Sequence, residues 1–474
     1  MFFIPDYIDI NGGKKLKEGA TVSISGAKNE VLGVMTVAVL TREPVELHNV
    51  PFISDVLDMG KIMIDLGIDV KYNSETRVMR LHAVNIKTNI LSDEAFKFRA
   101  SYYIWGALIA RFMITKEFDS LSIPVPGGCN FAGGKKSSGR RPIDFHTNLI
   151  RNIFNARVFE KDDRIIIKLP KKQPANDSNP IFSTPLLSHG ATFHWMLSAA
   201  TAARTKFFYN ASMEPEVGHL LGILNRMGAN IRGTNHTAIT SFGTGKLLSG
   251  GTFHIMPDRM ESAAYALLAF ALNSEIILDG MDTTSSMPWL NSVKEIAGVS
   301  TVQKLGPATD GKYERVKFDF RGREVRGRTF QISPYPGKET DLQQIWAPVL
   351  ALAKTDSIII DPQWNRYAHL AEMAKFGLKS EFSQIKIKNA TVKSALRIVI
   401  HPSVLKPATA SGMDIRGTFG VIMSAIIAKG HSRIDNPSYA LRGHPNMIRN
   451  LQNIGVDVTP SKEGATLPML PKLI

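Results

Sequence analysis

Four basic residues stand where an α-helix least favours them. Lys28, Arg99, Arg259 and Arg416 each open, or nearly open, a long apolar segment. A helix N-terminus carries partial positive charge and unpaired N–H groups, so a cation placed there calls for a compensating anion. Asp341 opens another such segment, where a lone aspartate is ordinarily an N-cap. The single cysteine, Cys129, follows two glycines in the lysine- and glycine-rich stretch Gly127–Arg141. Cations beside a thiol lower its pKa and raise the thiolate fraction. By type, these residues suit the capture of phosphates and carboxylates beside an activated thiol.

The elements that carry them recur. Six apolar segments predict buried helices: Lys28–Leu40, Arg99–Phe112, Gly190–Ala203, Arg259–Leu272, Asp341–Ala353 and Arg416–Ala428. Their first residues lie 71, 91, 69, 82 and 75 positions apart, a period of roughly 70 with insertions. A short β-rich stretch follows five of them clearly: Val45–Val50, Lys206–Asn210, Glu275–Asp279, Ser357–Asp361 and Ser432–Asn436. An amphipathic helix comes next and stops at Gly67, Asn155, Gly228, Gly298, Gly377 or Gly455, residues suited to the left-handed C′ position. Six β/α modules therefore fit two domains of three modules each. If the modules of a domain are related by a pseudo-threefold axis, their basic helix starts converge on one face. Two such faces would make an anion-holding cleft.

Length and composition agree. A chain of 474 residues calls for two or three domains, and 44% hydrophobic with 21% charged residues is globular. Apolar runs such as Val31–Leu40, Ala263–Leu272 and Phe419–Ala428 have about half the length of a bilayer span, and Asp6 and Asp9 break any secretory pattern. The expectation is a cytoplasmic protein with no membrane contact. One cysteine excludes an intrachain disulfide or a cysteine metal cluster, and the scattered histidines give no metal-ligand spacing, so no metal and no cofactor are expected. The net charge of +15 suits either nucleic acid or small anions. The bases form few runs, which favours small anionic substrates over nucleic acid. Nothing in the sequence specifies an oligomeric state.

The motifs SISGAKNE (Ser23–Glu30), PGGC (Pro126–Cys129) and RRPIDFH (Arg140–His146) carry a resemblance. With FRAS (Phe98–Ser101), SHGAT (Ser188–Thr192), EPE (Glu214–Glu216), PDRME (Pro257–Glu261), PYPGKETD (Pro334–Asp341) and DIRG (Asp414–Gly417), the chain resembles the enolpyruvyl transferases over nearly its whole length. Within them it is most similar to the branch that acts on UDP-N-acetylglucosamine in bacterial peptidoglycan synthesis. The resemblance implies an α/β architecture, a two-domain inverted αβ-barrel in which each domain is a pseudo-threefold repeat of β/α modules. It implies one domain at 28–253 and a second made of 1–27 plus 254–474, with the active site in the cleft between them.

The implied reaction moves the enolpyruvyl group of phosphoenolpyruvate onto a uridine-based acceptor and releases phosphate. Lys28, Arg141, Arg416 and Arg442 match the family's phosphate- and carboxylate-holding positions. Cys129 matches the general acid that can also add covalently to phosphoenolpyruvate, and Asp341 the carboxylate facing the acceptor hydroxyl. Asn29 and Arg99 match substrate-contacting positions; Pro142, Ile143, Asp144 and Phe145 the loop gripping uridine; Ser188, His189 and Gly190 the turn approaching the diphosphate. Arg259 and Arg366 complete the cationic set, and Glu214 with Glu216 forms a carboxylate pair near the cleft.

The chain departs from the family around the acceptor. Asn130–Arg140 lengthens the loop after Cys129, His189 stands where valine is common, Leu441 replaces an aspartate and His444 a tyrosine. Trp364 and Met213 replace a glutamate and an arginine, and extra segments surround Lys171–Pro180 and Thr301–Arg328. Two acceptors therefore stay open: the 3-hydroxyl of UDP-N-acetylglucosamine, or UMP or another nucleotide, as in relatives from nucleoside-antibiotic pathways.

Overall fold

The computed structural model describes residues 2–96, 99–125, 143–171, 180–233, 236–298, 302–362, 366–387 and 394–473. The chain forms two compact units. One holds Met1–Ser25 and Pro257–Pro468; the other holds the described residues of Gly26–Gly128 and Ser138–Met256, together with Met469–Ile474.

Each unit repeats one module three times. The first helices of the modules are α1 (Lys28–Met35), α3 (Tyr102–Thr115), α5 (His189–Ala199), α7 (Arg259–Ala271), α9 (Gln343–Leu350) and α11 (Ile415–Ile427). They are apolar on all sides and accordingly sunk in the core: every residue from Tyr102 to Phe112, from Arg259 to Phe270 and from Arg416 to Ile426 is buried. The second helices include α2 (Ser54–Asp65), α4 (Asp144–Phe154), α6 (Pro215–Arg226), α8 (Met287–Ala297) and α10 (Ala368–Lys375), with Met447–Asn453 in the last module. These bury one stripe only; in α4 it is His146, Leu149, Ile150, Ile153 and Phe154. The six residues expected to close them, Gly67, Asn155, Gly228, Gly298, Gly377 and Gly455, all have positive φ between 53° and 100°.

Six sheets share one strand order. In the first, Gly251–His254 runs parallel to Val45–His48, which pairs antiparallel with Val78–His82, which pairs antiparallel with Asp69–Asn73. The sheet of Ser120–Pro124 has three strands, and a parallel bridge from Ile90 to Ser122 stands where the fourth would be. The last strand before each passage between units pairs within the unit it leaves. Thr21–Ser23, just before α1, completes the sheet of Glu275–Met281, whereas Gly251–His254, just before α7, completes that of Val45–His48. Tyr7–Gly12 closes the last sheet between Gly430–Asp435 and Asp457–Pro460. The insertion at Thr301–Arg328 is largely a hairpin, Val302–Pro307 with Glu314–Asp319, inside a module sheet.

Three expected helices differ, the first because Arg99 stands in the 3-10 turn Arg99–Ser101 ahead of α3. Lys28–Leu40 splits into α1 and a 3-10 turn at Thr36–Leu40, where β-branched residues cluster and the Thr36 hydroxyl bonds the Gly33 carbonyl at 2.7 Å. Asp341 sits in a 3-10 turn, Thr340–Leu342, ahead of α9, and caps no helix by its side chain.

Candidate active site

In the unit built on α7, α9 and α11, three arginines gather about Asp341. Arg259 is the first residue of α7, whose start is capped by Asp258 Oδ1 accepting from the N–H groups of Met260 (2.8 Å) and Glu261 (3.0 Å). Its guanidinium is buried, ion-pairs with Glu339 and lies 5.3 Å from the centroid of the Tyr335 ring. Arg416, in the first turn of α11, is positioned by the matching cap, Asp414 Oδ1 accepting from Arg416 N and Gly417 N at 3.1 and 2.9 Å. Its Nη1 reaches His444 Nε2 at 3.4 Å, and His444 stacks on Phe419 with ring centroids 4.2 Å apart. Arg366, just before α10, places Nη1 2.6 Å from Asp341 Oδ1.

Burial alone would raise the Asp341 carboxyl, but Arg366, Arg416 and Arg259 together hold it well below the usual carboxylate range. It is an ion clamped by cations, which explains why the reading of Asp341 as an N-cap fails. Burial pushes the His369 imidazole down to about 3, with Arg366 adding to the shift. Arg442 is half-buried in the turn after Ser438–Leu441, and a Cβ on the adjoining Gly443 would lie 3.4 Å from Arg416 Nη1.

In the other unit, Lys28 opens α1 with Nζ 2.8 Å from Asp55 Oδ2 in the first turn of α2, both side chains nearly buried. Asn29 beside it is half-buried. Glu30 is fully buried; it bonds His219 on α6 and accepts the Met256 N–H at 2.7 Å. Burial pushes its carboxyl up against the pull of His219 and the Met256 N–H, with Glu216 adding to the rise. Ser188 caps α5 by accepting from Ala191 N, and His189 follows with Nδ1 3.4 Å from Tyr103 Oη and Nε2 3.9 Å from Glu214 Oε2. Gly190 packs under Tyr102, whose Oη would be 2.0 Å from a Cβ there. At the start of α4, Asp144 is exposed and Ile143 and Phe145 are half-buried.

The structure thus brings Arg259, Asp341, Arg366 and Arg416 into one cluster, and places Lys28, Ser188, His189 and Gly190 at helix starts. Cys129, Arg141 and Pro142 lie outside the described residues, and Arg99 is described by its backbone alone, in the 3-10 turn Arg99–Ser101. Reasoning from sequence missed Asp55 and Glu339, the carboxylates that balance Lys28 and Arg259. Glu339 stood inside a quoted motif, whereas Asp55 stood in none. Among the described residues one group could hold a metal: His189, Glu214 and Glu216, whose ligand atoms lie within 4.8 Å of one another.

A family model described as EPSP synthase (3-phosphoshikimate 1-carboxyvinyltransferase) matches residues 10–451. The chain belongs to this family of enolpyruvyl transferases. This enolpyruvyl transferase is 29% identical to UDP-N-acetylglucosamine 1-carboxyvinyltransferase 1 of Streptococcus agalactiae, over 95% of its own length and 98% of the relative's. It is 29% identical to the UDP-N-acetylglucosamine 1-carboxyvinyltransferase of Maricaulis maris, over 97% of its length and 100% of the relative's. Among solved structures it resembles the enolpyruvyl transferase NikO from Streptomyces tendae, with a TM-score of 0.78 at 17% identity over 96% and 98% of the two chains. EPSP synthase from Acinetobacter baumannii follows with a TM-score of 0.66 at 12% identity over 96% and 100%. The fold is therefore that of EPSP synthase-like enolpyruvyl transferases, and the six repeated sheets accord with the inverted barrel. Among the described residues, no helix is long and apolar enough to cross a membrane.

Proposed function

We propose that this enzyme transfers the enolpyruvyl group of phosphoenolpyruvate to the 3-hydroxyl of UDP-N-acetylglucosamine and releases phosphate. The observation that carries the reading is the arginine-clamped Asp341, found in a chain that aligns end to end with UDP-N-acetylglucosamine 1-carboxyvinyltransferases. A cytoplasmic enzyme with small-molecule substrates, binding neither nucleic acid nor membrane, follows from the same reading.

In the addition step the acceptor oxygen bonds to C2 of phosphoenolpyruvate while C3 takes a proton, giving a tetrahedral ketal. In the elimination step C3 gives up a proton, the C2–O bond to phosphate breaks, and phosphate leaves with the electron pair. Cys129 supplies the proton to C3 in this scheme. Arg416, Arg442, Lys28 and Arg141 hold the donor's phosphate and carboxylate, with Arg259 and Arg366 completing the field. Asn29 and Arg99 contact substrate, Pro142–Phe145 holds the uracil end, and Ser188–Gly190 faces the diphosphate.

Asp341 takes the acceptor proton. Clamped by arginines it is a weak base, but a bound anion shares those cations and raises its proton affinity. Base strength thus appears when the donor is in place.

The alternative acceptor, UMP or another nucleotide, draws on one observation: the substitutions cluster on the acceptor side, with His189 at the start of α5 beside Glu214. Phosphate release measured with phosphoenolpyruvate and either UDP-N-acetylglucosamine or UMP separates the two. The main reading expects turnover with the sugar nucleotide at least tenfold above UMP, and no release with any uridine nucleotide would end both.

A further inference from the structure

Two buried histidines from different helices meet in the unit that carries Ser188–Gly190. His146 of α4 and His194 of α5 place their Nδ1 atoms 2.9 Å apart, and both are almost wholly buried. Tyr102 of α3 stacks on His146 with ring centroids 3.7 Å apart. The same tyrosine fills the space above Gly190, where any Cβ would collide with its hydroxyl. On the other side His194 occupies the gap left by Gly106 of α3; a Cβ at Gly106 would lie 2.5 Å from His194 Cδ2.

We infer that His146 and His194 are positioning residues for the acceptor, a neutral hydrogen-bonded imidazole pair that locks the start of α4, Ile143–Phe145, to the start of α5, Ser188–Gly190. The inference rests on the acceptor-binding role proposed above for these two helix starts. His146 directly follows Phe145, so a displaced ring moves the turn itself. His194 lies five residues past His189, on the helix whose first turn is to face the diphosphate.

The pairing has a definite proton arrangement. A hydrogen bond between two Nδ1 atoms needs one N–H and one lone pair, so the rings must be opposite tautomers. His194 Nε2 is buried with no hydrogen-bond partner among the described residues. A buried donor without an acceptor is the costlier default, so the His194 proton belongs on Nδ1, donating to His146. Burial pushes the His194 pKa down to about 3, which keeps that ring uncharged across the neutral range. Among the described residues, the Tyr102 ring and the Trp105 indole, both uncharged, pack against His194.

The lock matters because side chains on separate helices otherwise reach the acceptor with independent errors. Breaking it loosens acceptor geometry and spares the donor.

The test compares the wild-type enzyme with His194→Leu and His194→Asn, using UDP-N-acetylglucosamine as the probe in binding calorimetry and phosphate release. His194→Leu strands the His146 Nδ1 and should raise the acceptor KM and Kd about tenfold, a range of roughly 5- to 100-fold for a lost buried partner, with the phosphoenolpyruvate KM little changed. His194→Asn offers an amide at the Nδ1 position and should recover acceptor binding to within about threefold of wild type. Wild-type enzyme that fails to bind the sugar nucleotide would refute the acceptor reading, whereas wild-type binding matched by His194→Leu would overturn the lock. Imidazole nitrogen resonances give a readout free of activity. They should show His194 protonated on Nδ1 and His146 on Nε2 at neutral pH; two identical tautomers, or an imidazolium, would overturn the pairing.

Discussion

The starts of α1 and α7 solve the same problem with different charge balances. Both helices follow a passage of the chain from one unit to the other, and both carry a glutamate two residues after the opening cation. Glu30 accepts the N–H of Met256 at 2.7 Å, and Glu261 accepts that of Ser25 at 2.8 Å. The carbonyls return the contact: Met256 O accepts from Ala27 N at 2.7 Å, and Ser25 O from Asp258 N at 2.8 Å. The backbone frame is thus the same twice over.

The cations are not. Lys28 has the Asp55 carboxylate at 2.8 Å. Around Asp341 stand Arg259, Arg366 and Arg416, three positive charges against Asp341 and Glu339. Among the described residues, one helix start holds a matched pair and the other a positive surplus. Repetition of the fold supplies equivalent platforms, and a few side chains set the charge at each.

The largest effect expected from this contrast is on turnover. Arg416→Ala removes a buried guanidinium from the surplus and should lower kcat/KM for phosphoenolpyruvate by about a thousandfold, as loss of a preorganised charged donor does. Steady-state kinetics on protein shown to be folded checks it; a loss under tenfold would erase the distinction between the two platforms.

A second effect is visible in pH. The arginines depress the folded pKa of Asp341, so this carboxylate contributes stability in full above its unfolded value of about 4 and loses it as pH falls toward the folded value. Arg366→Gln weakens the clamp and raises that pKa. Acid unfolding of the variant should begin at higher pH, and its activity should gain an acidic limb that wild type lacks. Superimposable pH profiles would contradict the clamp.

At the matched pair the expected loss is of stability. Asp55→Asn leaves the buried Lys28 ammonium without its carboxylate and should cost about 3 kcal/mol in denaturant unfolding, in line with broken buried pairs. A cost under about 1 kcal/mol would make this pair no tighter than a surface one.

The smallest change belongs to Glu30→Gln. Burial raises the Glu30 pKa, so its ionisation costs stability at neutral pH, and that cost is relieved as pH falls through the folded pKa. A glutamine keeps an acceptor for Met256 N–H and removes a desolvated charge while weakening the contact with His219. The net change should stay within about 1 kcal/mol, and a loss above about 3 kcal/mol would mean the carboxylate is needed as an ion.

What could be read from sequence follows from range. The six modules were legible because each signal is local: an apolar run, a short strand, a helix, then Gly67 or its equivalent in a left-handed turn. The cations at helix starts were legible for the same reason. Their partners were not. Asp55 is 27 residues from Lys28, and Glu339 is 80 from Arg259, distances at which only the packed fold chooses the contact. The His146–His194 pair likewise needs α4 and α5 to pack before either ring has meaning. Arg111 shows the converse: as deeply buried as Arg259, it is spent on Glu117 and on carbonyls of Val39, Thr41, Ala83 and Val84. Burial of an arginine therefore marks structure as readily as chemistry.

The most direct test of enolpyruvyl transfer is the mass of the nucleotide product. With phosphoenolpyruvate and UDP-N-acetylglucosamine, the wild-type enzyme should yield the enolpyruvyl ether of the sugar nucleotide together with equimolar phosphate, and Asp341→Asn should yield neither at a comparable rate. Unaltered sugar nucleotide after prolonged incubation with the folded wild-type enzyme would contradict the account.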